Sequence, residues 1–462
     1  MAAPGHVESL HFFLFLLLLP SLFIAELSAS NPQVEALLAF KASITDDPLG
    51  ALSNWTSMLH HCNWTGVSCD PSSGAVVSIS LTEMQLKGTL SPFLGNISTL
   101  EFIDFTSNKL WGSIPPQLGH CSNLSGLGLY DNHFSGHIPF ELGNLKNLLL
   151  LDLRSNFFNG SIPESLCNCT AMQELGLDGN NLTGSIPSCI GDLVNLEVFQ
   201  AYTNGLVGPF PPSFGKLQGL KILDLSNNML SGIIPPEIGN LSHLSILQLF
   251  SNQFEGPIPR ELGQCTNLTL LNIYSNRLTG SIPPELGMLI KLEALRLYGN
   301  NLSSTIPSSL SSCRSLVFLG LSENFLIGSI PAEFGSLTSL RFLTLHQNLL
   351  TGEIPVALMN LTNLSYLSLS LNSLSGSLPS NIGSLYKLEK LFIDTNQLVG
   401  SVPPSISNCT QLETASLTYN WFAGGIPSGL SRMQNLTYLS LGGTFFLGPY
   451  RKIYSTVASF RL

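Results

Sequence analysis

The residues best placed to do chemistry form a column. Every 24 positions, two residues before a recurring asparagine, the chain carries Tyr130, Arg154, Asp178, Tyr202, Ser226, Phe250, Tyr274, Tyr298, Ser322, His346, Ser370, Asp394 and Thr418. Five of the first eight are aromatic and none after Tyr298 is, whereas a purely structural slot would keep one character along its length. Exposed aromatics without a covering layer are typical interface anchors. Strand propensity also favours Tyr and Phe, but it does not explain the change halfway, so binding is the stronger reading. Arg296 lies beside Tyr298 and offers a planar fork to a carboxylate. Arg154 can do the same, or pair with Asp152 or Asp178. His346 suits a polar surface as well as it suits a ligand contact.

Nothing in the sequence points to catalysis or metal binding. The nine histidines, including His60 and His61, lack ligand or catalytic spacing. Nucleophile elbow, phosphate loop and zinc-protease motif are all missing, so no cofactor is called for. The nine cysteines sort by position. Cys121, Cys169, Cys265, Cys313 and Cys409 fall thirteen residues after a recurring Asn, where other repeats place Leu145, Leu193 or Leu241, and are expected to be buried thiols. Cys62 and Cys69 flank Asn63-Trp64-Thr65-Gly66-Val67-Ser68 and are expected to form a disulfide. Cys167 and Cys189 fall outside the buried slot on adjacent repeats; a second disulfide is expected, with two free thiols as the alternative. A net charge of -10 with 10% charged residues makes nucleic acid and anionic membrane poor partners.

The column is positioned by a repeat. From Asn108, steps of 24 land on Asn132, Asn156, Asn180, Asn204, Asn228, Asn252, Asn276, Asn300, Asn324, Asn348, Asn372, Asn396 and Asn420 without a miss. Gly follows each Asn by four residues, Ser304 excepted, and Pro by seven. Such a period is the signature of a solenoid. Leu151-Asp152-Leu153-Arg154 alternates as a half-buried strand should. The Asn amide can satisfy the turn that follows from inside. Gly160 permits a tight conformation, and Ile162-Pro163 an extended one. The expected fold is an α/β repeat solenoid: a horseshoe or superhelix of about 16 coils, with a parallel β-sheet on the concave face. Strands ~4.8 Å apart make that sheet roughly 70 Å long, the span of about 20 extended residues.

Four segments are expected. Residues 1–30 read as a signal peptide, with an apolar run from Leu10 to Leu19 and Ser28-Ala29-Ser30 as the cleavage site. Residues 31–75 read as an end cap with a helix around Glu35–Lys41, residues 76–448 as the array, and residues 449–462 as a non-repeat tail, an expected truncation. No later stretch is long and apolar enough to span a bilayer. Fourteen Asn-x-Ser/Thr sequons, at Asn54, Asn63, Asn96, Asn123, Asn159, Asn168, Asn181, Asn240, Asn267, Asn301, Asn360, Asn363, Asn408 and Asn435, suggest a glycosylated, secreted chain.

The cap Asp47-Pro48-Leu49-Gly50 through Cys62-Asn63-Trp64-Thr65-Gly66-Val67-Ser68-Cys69-Asp70 and the Gly-x-Ile-Pro coil resemble plant leucine-rich-repeat receptor kinases over about residues 33–440. Leu151-Asp152-Leu153-Arg154, Leu292 to Tyr298, Leu319 to Asn324, Leu343-Thr344-Leu345-His346 and the Cys167, Cys189 pair are most similar to flagellin-sensing members. The resemblance implies an extracellular pattern-recognition region at the plasma membrane. It would bind a flagellin-like peptide through Arg154, Tyr274, Arg296, Tyr298, Thr344 and His346, with a shorter co-receptor kinase joining. Tyr130, Tyr202 and Phe250 extend the expected binding surface. Two departures matter. Phe318 stands where those receptors have His, and the membrane span and kinase of the family are not in this sequence, so no enzyme activity is expected of it. The alternative is a soluble apoplastic decoy, or an inhibitor of a microbial wall-degrading enzyme.

Overall fold

The structure, a computed structural model, describes residues 31–443 together with Phe445 and Phe446. The proposed leader 1–30, Gly448 and the tail 449–462 lie outside the described residues. The chain begins with a helix, Pro32–Ser43, whose first turn is set by Pro32 and by Asn31, which accepts from the Gln33 N–H. Ala36, Leu37 and Phe40 are its buried face. Phe40 stacks on Phe105 of the array at 4.9 Å between ring centroids, so the helix covers the open end of the stack. Trp55 and Trp64 stack at 5.3 Å, and Cys62 is bonded to Cys69 across a Cα separation of 5.5 Å.

Sixteen parallel strands follow, one per coil, from Val76–Ser80 to Tyr438–Ser440. Each pairs with its neighbour at an offset of 24 residues, as in Leu151 opposite Leu175, so that equivalent side chains stack in rows. Val67–Cys69 adds one antiparallel strand at the start. Opposite the strands each coil has a short 3-10 turn, such as Glu164–Asn168, and the leucines between the two layers are fully buried. A second set of short parallel strands, such as Phe157–Gly160, follows each strand's turn.

The recurring asparagines hold that turn. The Asn156 Nδ2 donates to the carbonyls of Arg154 at 3.0 Å and Leu153 at 3.3 Å, and across the coil interface to Leu129 at 2.9 Å. Its Oδ1 accepts from the Phe134 N–H at 2.9 Å. The residue before each of these asparagines lies in the left-handed region whatever its type: Ser107 at φ 54°, Glu323 at 55°, Leu371 at 56°, Tyr419 at 52°. That conformation costs a β-carbon-bearing residue roughly 1 kcal/mol, and the amide's bonds to the two carbonyls just before that residue offset it. Ser304, in the slot that is otherwise Gly, keeps the same sign at φ 73°.

The five isolated cysteines are buried as expected. The Cys169 Sγ, for example, donates to the Leu142 carbonyl at 3.3 Å, and burial pushes its pKa up to about 11, so it is an unreactive thiol. Cys167 and Cys189 are bonded, joining adjacent coils on the turn side. No described helix is long and apolar enough to cross a membrane.

Asn252→Leu removes donors to Leu225, Leu249 and Phe250 and the acceptor for Leu230 N–H. It should cost about 3 kcal/mol in urea unfolding and speed amide exchange selectively in the two coils it joins.

Candidate functional site

Because equivalent positions stack at strand spacing, the open face of the sheet is a set of rows. In the expected column, Phe250 stacks on Tyr274 at 4.5 Å and Tyr274 on Tyr298 at 4.3 Å. All three rings are partly exposed. The aromatic surface does not stop at Tyr298. It shifts four residues back along the strand to a second row, where Phe318, Phe342 and Tyr366 lie at 5.6 and 6.4 Å from one another, and then to Phe392 at 5.6 Å from Tyr366. Gly320 makes the crossing possible: a β-carbon there would sit 2.8 Å from the Phe318 ring and 3.3 Å from the Tyr298 ring. The two rings lean over this gap, with Thr344 Oγ1 at its far side.

Arg296 stands at the crossing. Its guanidinium lies 4.4 Å from the Phe318 ring centroid, a cation–π contact. Its Nη1 donates to Asn272 Oδ1 at 3.0 Å. Asn272 in turn donates to Gln248 at 3.0 Å, and Gln248 to Asp224 at 2.6 Å. This chain runs across four coils and orients Arg296 without neutralising it by direct contact. The remaining guanidinium donors have no hydrogen-bond partner among the described residues. His346, two coils on, meets Glu323 at 3.6 Å and Ser368 Oγ at 3.2 Å, so it is a paired surface histidine.

Toward the cap the face is different. Arg154 is claimed by Asp152, with Nε to Oδ1 at 2.7 Å and Nη2 to Oδ2 at 2.6 Å. Of its two expected roles, the structure gives it the internal pair. It also lies 5.1 Å from the Tyr130 ring centroid and reaches over Gly176. Asp178, on the next coil, is 3% exposed, and its Oδ1 has no hydrogen-bond partner. Burial pushes the Asp178 carboxyl up to about 6 against the opposing pulls of the Tyr202 hydroxyl, which hydrogen-bonds to it, and of Arg154. Tyr202 rises to about 12, through burial and this carboxylate.

Of the residues singled out in the sequence, Phe250, Tyr274, Arg296, Tyr298 and Thr344 therefore come together at the centre. Tyr130, Arg154 and Tyr202 form a separate cluster nearer the cap, and His346 lies beyond the crossing. Reading one column missed Phe342, Tyr366, Phe392, Gln248 and Asn272, which lie outside it, while Asp178 lies in it and was named only as a partner for Arg154. The signal for the aromatics was present in the rows four and six residues before each asparagine. His60, His61 and Cys62 bring ligand atoms close together, but Cys62 is spent in the disulfide, which leaves no thiolate for a metal.

The cap, residues 30–70, matches the leucine rich repeat N-terminal domain. The coils match leucine rich repeat models over 203–254 and over seven segments between 99–121 and 363–385. A probable LRR receptor-like serine/threonine-protein kinase of Arabidopsis thaliana is 43% identical over 74 residues, which is 16% of this chain and 11% of that protein. The crystal structure of PEPR1 with AtPEP1 superposes with a TM-score of 0.87 at 38% identity, covering 90% of this chain and 59% of that one. The Arabidopsis receptor kinase HAESA, in complex with the peptide hormone IDA and the co-receptor SERK1, gives a TM-score of 0.58 at 30% identity, covering 90% of this chain and 82% of that one. The chain thus spans under two thirds of PEPR1 and about a tenth of the curated kinase.

The raised pKa of Asp178 fixes a sign. Its folded value, about 6, exceeds the unfolded value near 4, so its ionisation costs nothing below pH 4 and destabilises increasingly as pH rises through 6. Asp178→Asn should therefore raise stability by about 1–2 kcal/mol at pH 7.5 and leave it unchanged at pH 4, as read by urea denaturation at the two pH values.

Proposed function

Because the chain belongs to the leucine-rich-repeat receptor ectodomains of plants, we propose that its concave face binds an extended, flagellin-like peptide and presents it to a co-receptor kinase in immune recognition. The observation that carries this is the aromatic path from Phe250 to Phe392, two runs that face each other across the gap at Gly320 with Arg296 at the bend. The path crosses six coil spacings, roughly 29 Å, the reach of about nine extended residues. Rigid aromatics supply large contact area at little entropic cost, and a guanidinium held by a neutral amide keeps its charge for a ligand carboxylate. Peptide as the ligand class is supported by the HAESA complex. Flagellin is supported by the strand motifs around Arg154, Arg296, Tyr298, Thr344 and His346.

The sequons favour the same face. All fourteen fall in the cap, in the turns or in the second strand set, and none in a strand of the concave sheet, so glycans at every one of them leave the rows clear. Phe318 sets the expected difference in specificity. It gives the bend an apolar ring instead of an imidazole, which favours a ligand that brings an apolar group next to its carboxylate. Extracellular display at the plasma membrane follows from the receptor reading.

The test is calorimetric titration of the purified ectodomain with a flagellin peptide. Arg296→Ala and Tyr298→Ala should each weaken binding by about 2 kcal/mol, some thirtyfold, while Tyr419→Ala, away from the path, changes nothing. Unchanged affinity in a Tyr274, Arg296, Tyr298 triple alanine variant would remove the aromatic path from the account. Binding of a hormone peptide in place of flagellin would change the ligand and with it the immune role.

A further inference from the structure

The groove has a second chemical pole that the aromatic path does not use. On the strands from the coil of Asn108 to that of Asn228, the rows carry Asp104, Asp152, Glu174, Asp178 and Asp224 against Arg154 as their cation. Arg154 is closed on both oxygens of Asp152. Asp224 is satisfied by Ser226 and Gln248. Asp178 alone among these carboxylates has a buried oxygen left without a donor. A buried acceptor in this state costs about 1–3 kcal/mol, and such a group in a groove is poised for an incoming donor.

We propose that Asp178 is the floor of a subsite for a guanidinium or ammonium group of the bound ligand, with Tyr202 as the cover that the ligand displaces. The subsite rests on the concave face being the ligand surface. Gly176, two residues before Asp178, carries no side chain, and the nearest atoms to the space above it are those of the Arg154 stem. Of the side chains around it, the Tyr202 hydroxyl acts most strongly on the carboxyl. A guanidinium that takes the place of that hydroxyl offers one N–H to each oxygen, and a positive charge not already closed on Asp152 as that of Arg154 is. The groups facing Asp178 are Arg154 and Asp152 on the preceding coil side, and Tyr202 and then Asp224 on the following side. Since the carboxyl ionises at about 6, cation affinity should rise with pH through that value.

Agmatine, a small guanidinium probe, tests this by saturation-transfer NMR on the intact chain at pH 7.5. Saturable millimolar binding is expected. It should be at least fivefold weaker in Asp178→Asn and at pH 5, equal or tighter in Tyr202→Phe, and unaltered in Tyr298→Ala. Absence of saturable binding, equal binding by Asp178→Asn, or weaker binding by Tyr202→Phe would overturn the subsite. Because the probe needs no flagellin peptide, agmatine binding with a silent peptide titration would leave the subsite standing and reject only the choice of ligand, and the converse result would reject only the subsite.

Discussion

Everything in this molecule depends on a side-chain amide that satisfies backbone groups on two coils at once. An asparagine such as Asn156 bonds two carbonyls of its own turn, one carbonyl of the preceding coil and one N–H of that coil. It thereby holds the residue before it in a left-handed conformation that Ser, Glu, Leu or Tyr would otherwise avoid. The turn is what brings the chain round in 24 residues, and the cross-coil bonds are what keep successive turns in register. Leucine burial supplies the bulk of the driving force, but burial is non-directional and would not choose this register over a slipped one.

A stack locked in this way turns chemistry into rows. Each outward position on the sheet sees its equivalents one strand spacing away, so an aromatic placed at the same slot in three coils becomes a stacked surface, as Phe250, Tyr274 and Tyr298 do. Polar residues become relays by the same rule. Asp224, Gln248, Asn272 and Arg296 occupy one row and hydrogen-bond in sequence. The groove therefore needs no preformed cavity: its selectivity lies in which row carries which group. An acidic stretch near the cap gives way to an aromatic one with a free guanidinium at its bend.

The fold was legible because its causes are strictly periodic. The asparagines from Asn108 to Asn420 and the thiol slots could be placed from spacing alone, and spacing set Cys167 and Cys189 on adjacent coils while leaving open whether they bond. The left-handed residues could not, since their types vary from Ser107 to Tyr419 and the conformation is imposed by the neighbouring amide. The site was half legible. Arg296 and Tyr298 stood out in one column, but Phe342 and Tyr366 continue the surface in another, and only the gap at Gly320 shows that the two columns meet. Asp178 was invisible as a special residue for a different reason: its unmet oxygen results from Arg154 choosing Asp152, a choice between two carboxylates that spacing leaves open.

The bond between Cys167 and Cys189 has a mechanical consequence. It ties the turns Glu164–Asn168 and Ser188–Asp192 of consecutive coils, while every other junction of the array among the described residues is held by non-covalent contacts alone. A spring whose coils interact only with their neighbours peels from its ends when stretched. Tension applied at the cap would open coils one after another, and at this rivet the load would pass through the S–S bond, so that the segment between the two cysteines, 22 positions apart, could not extend. The acidic stretch lies astride the rivet and the aromatic bend does not, so under tension part of the first would stay looped while the second could be drawn out in full.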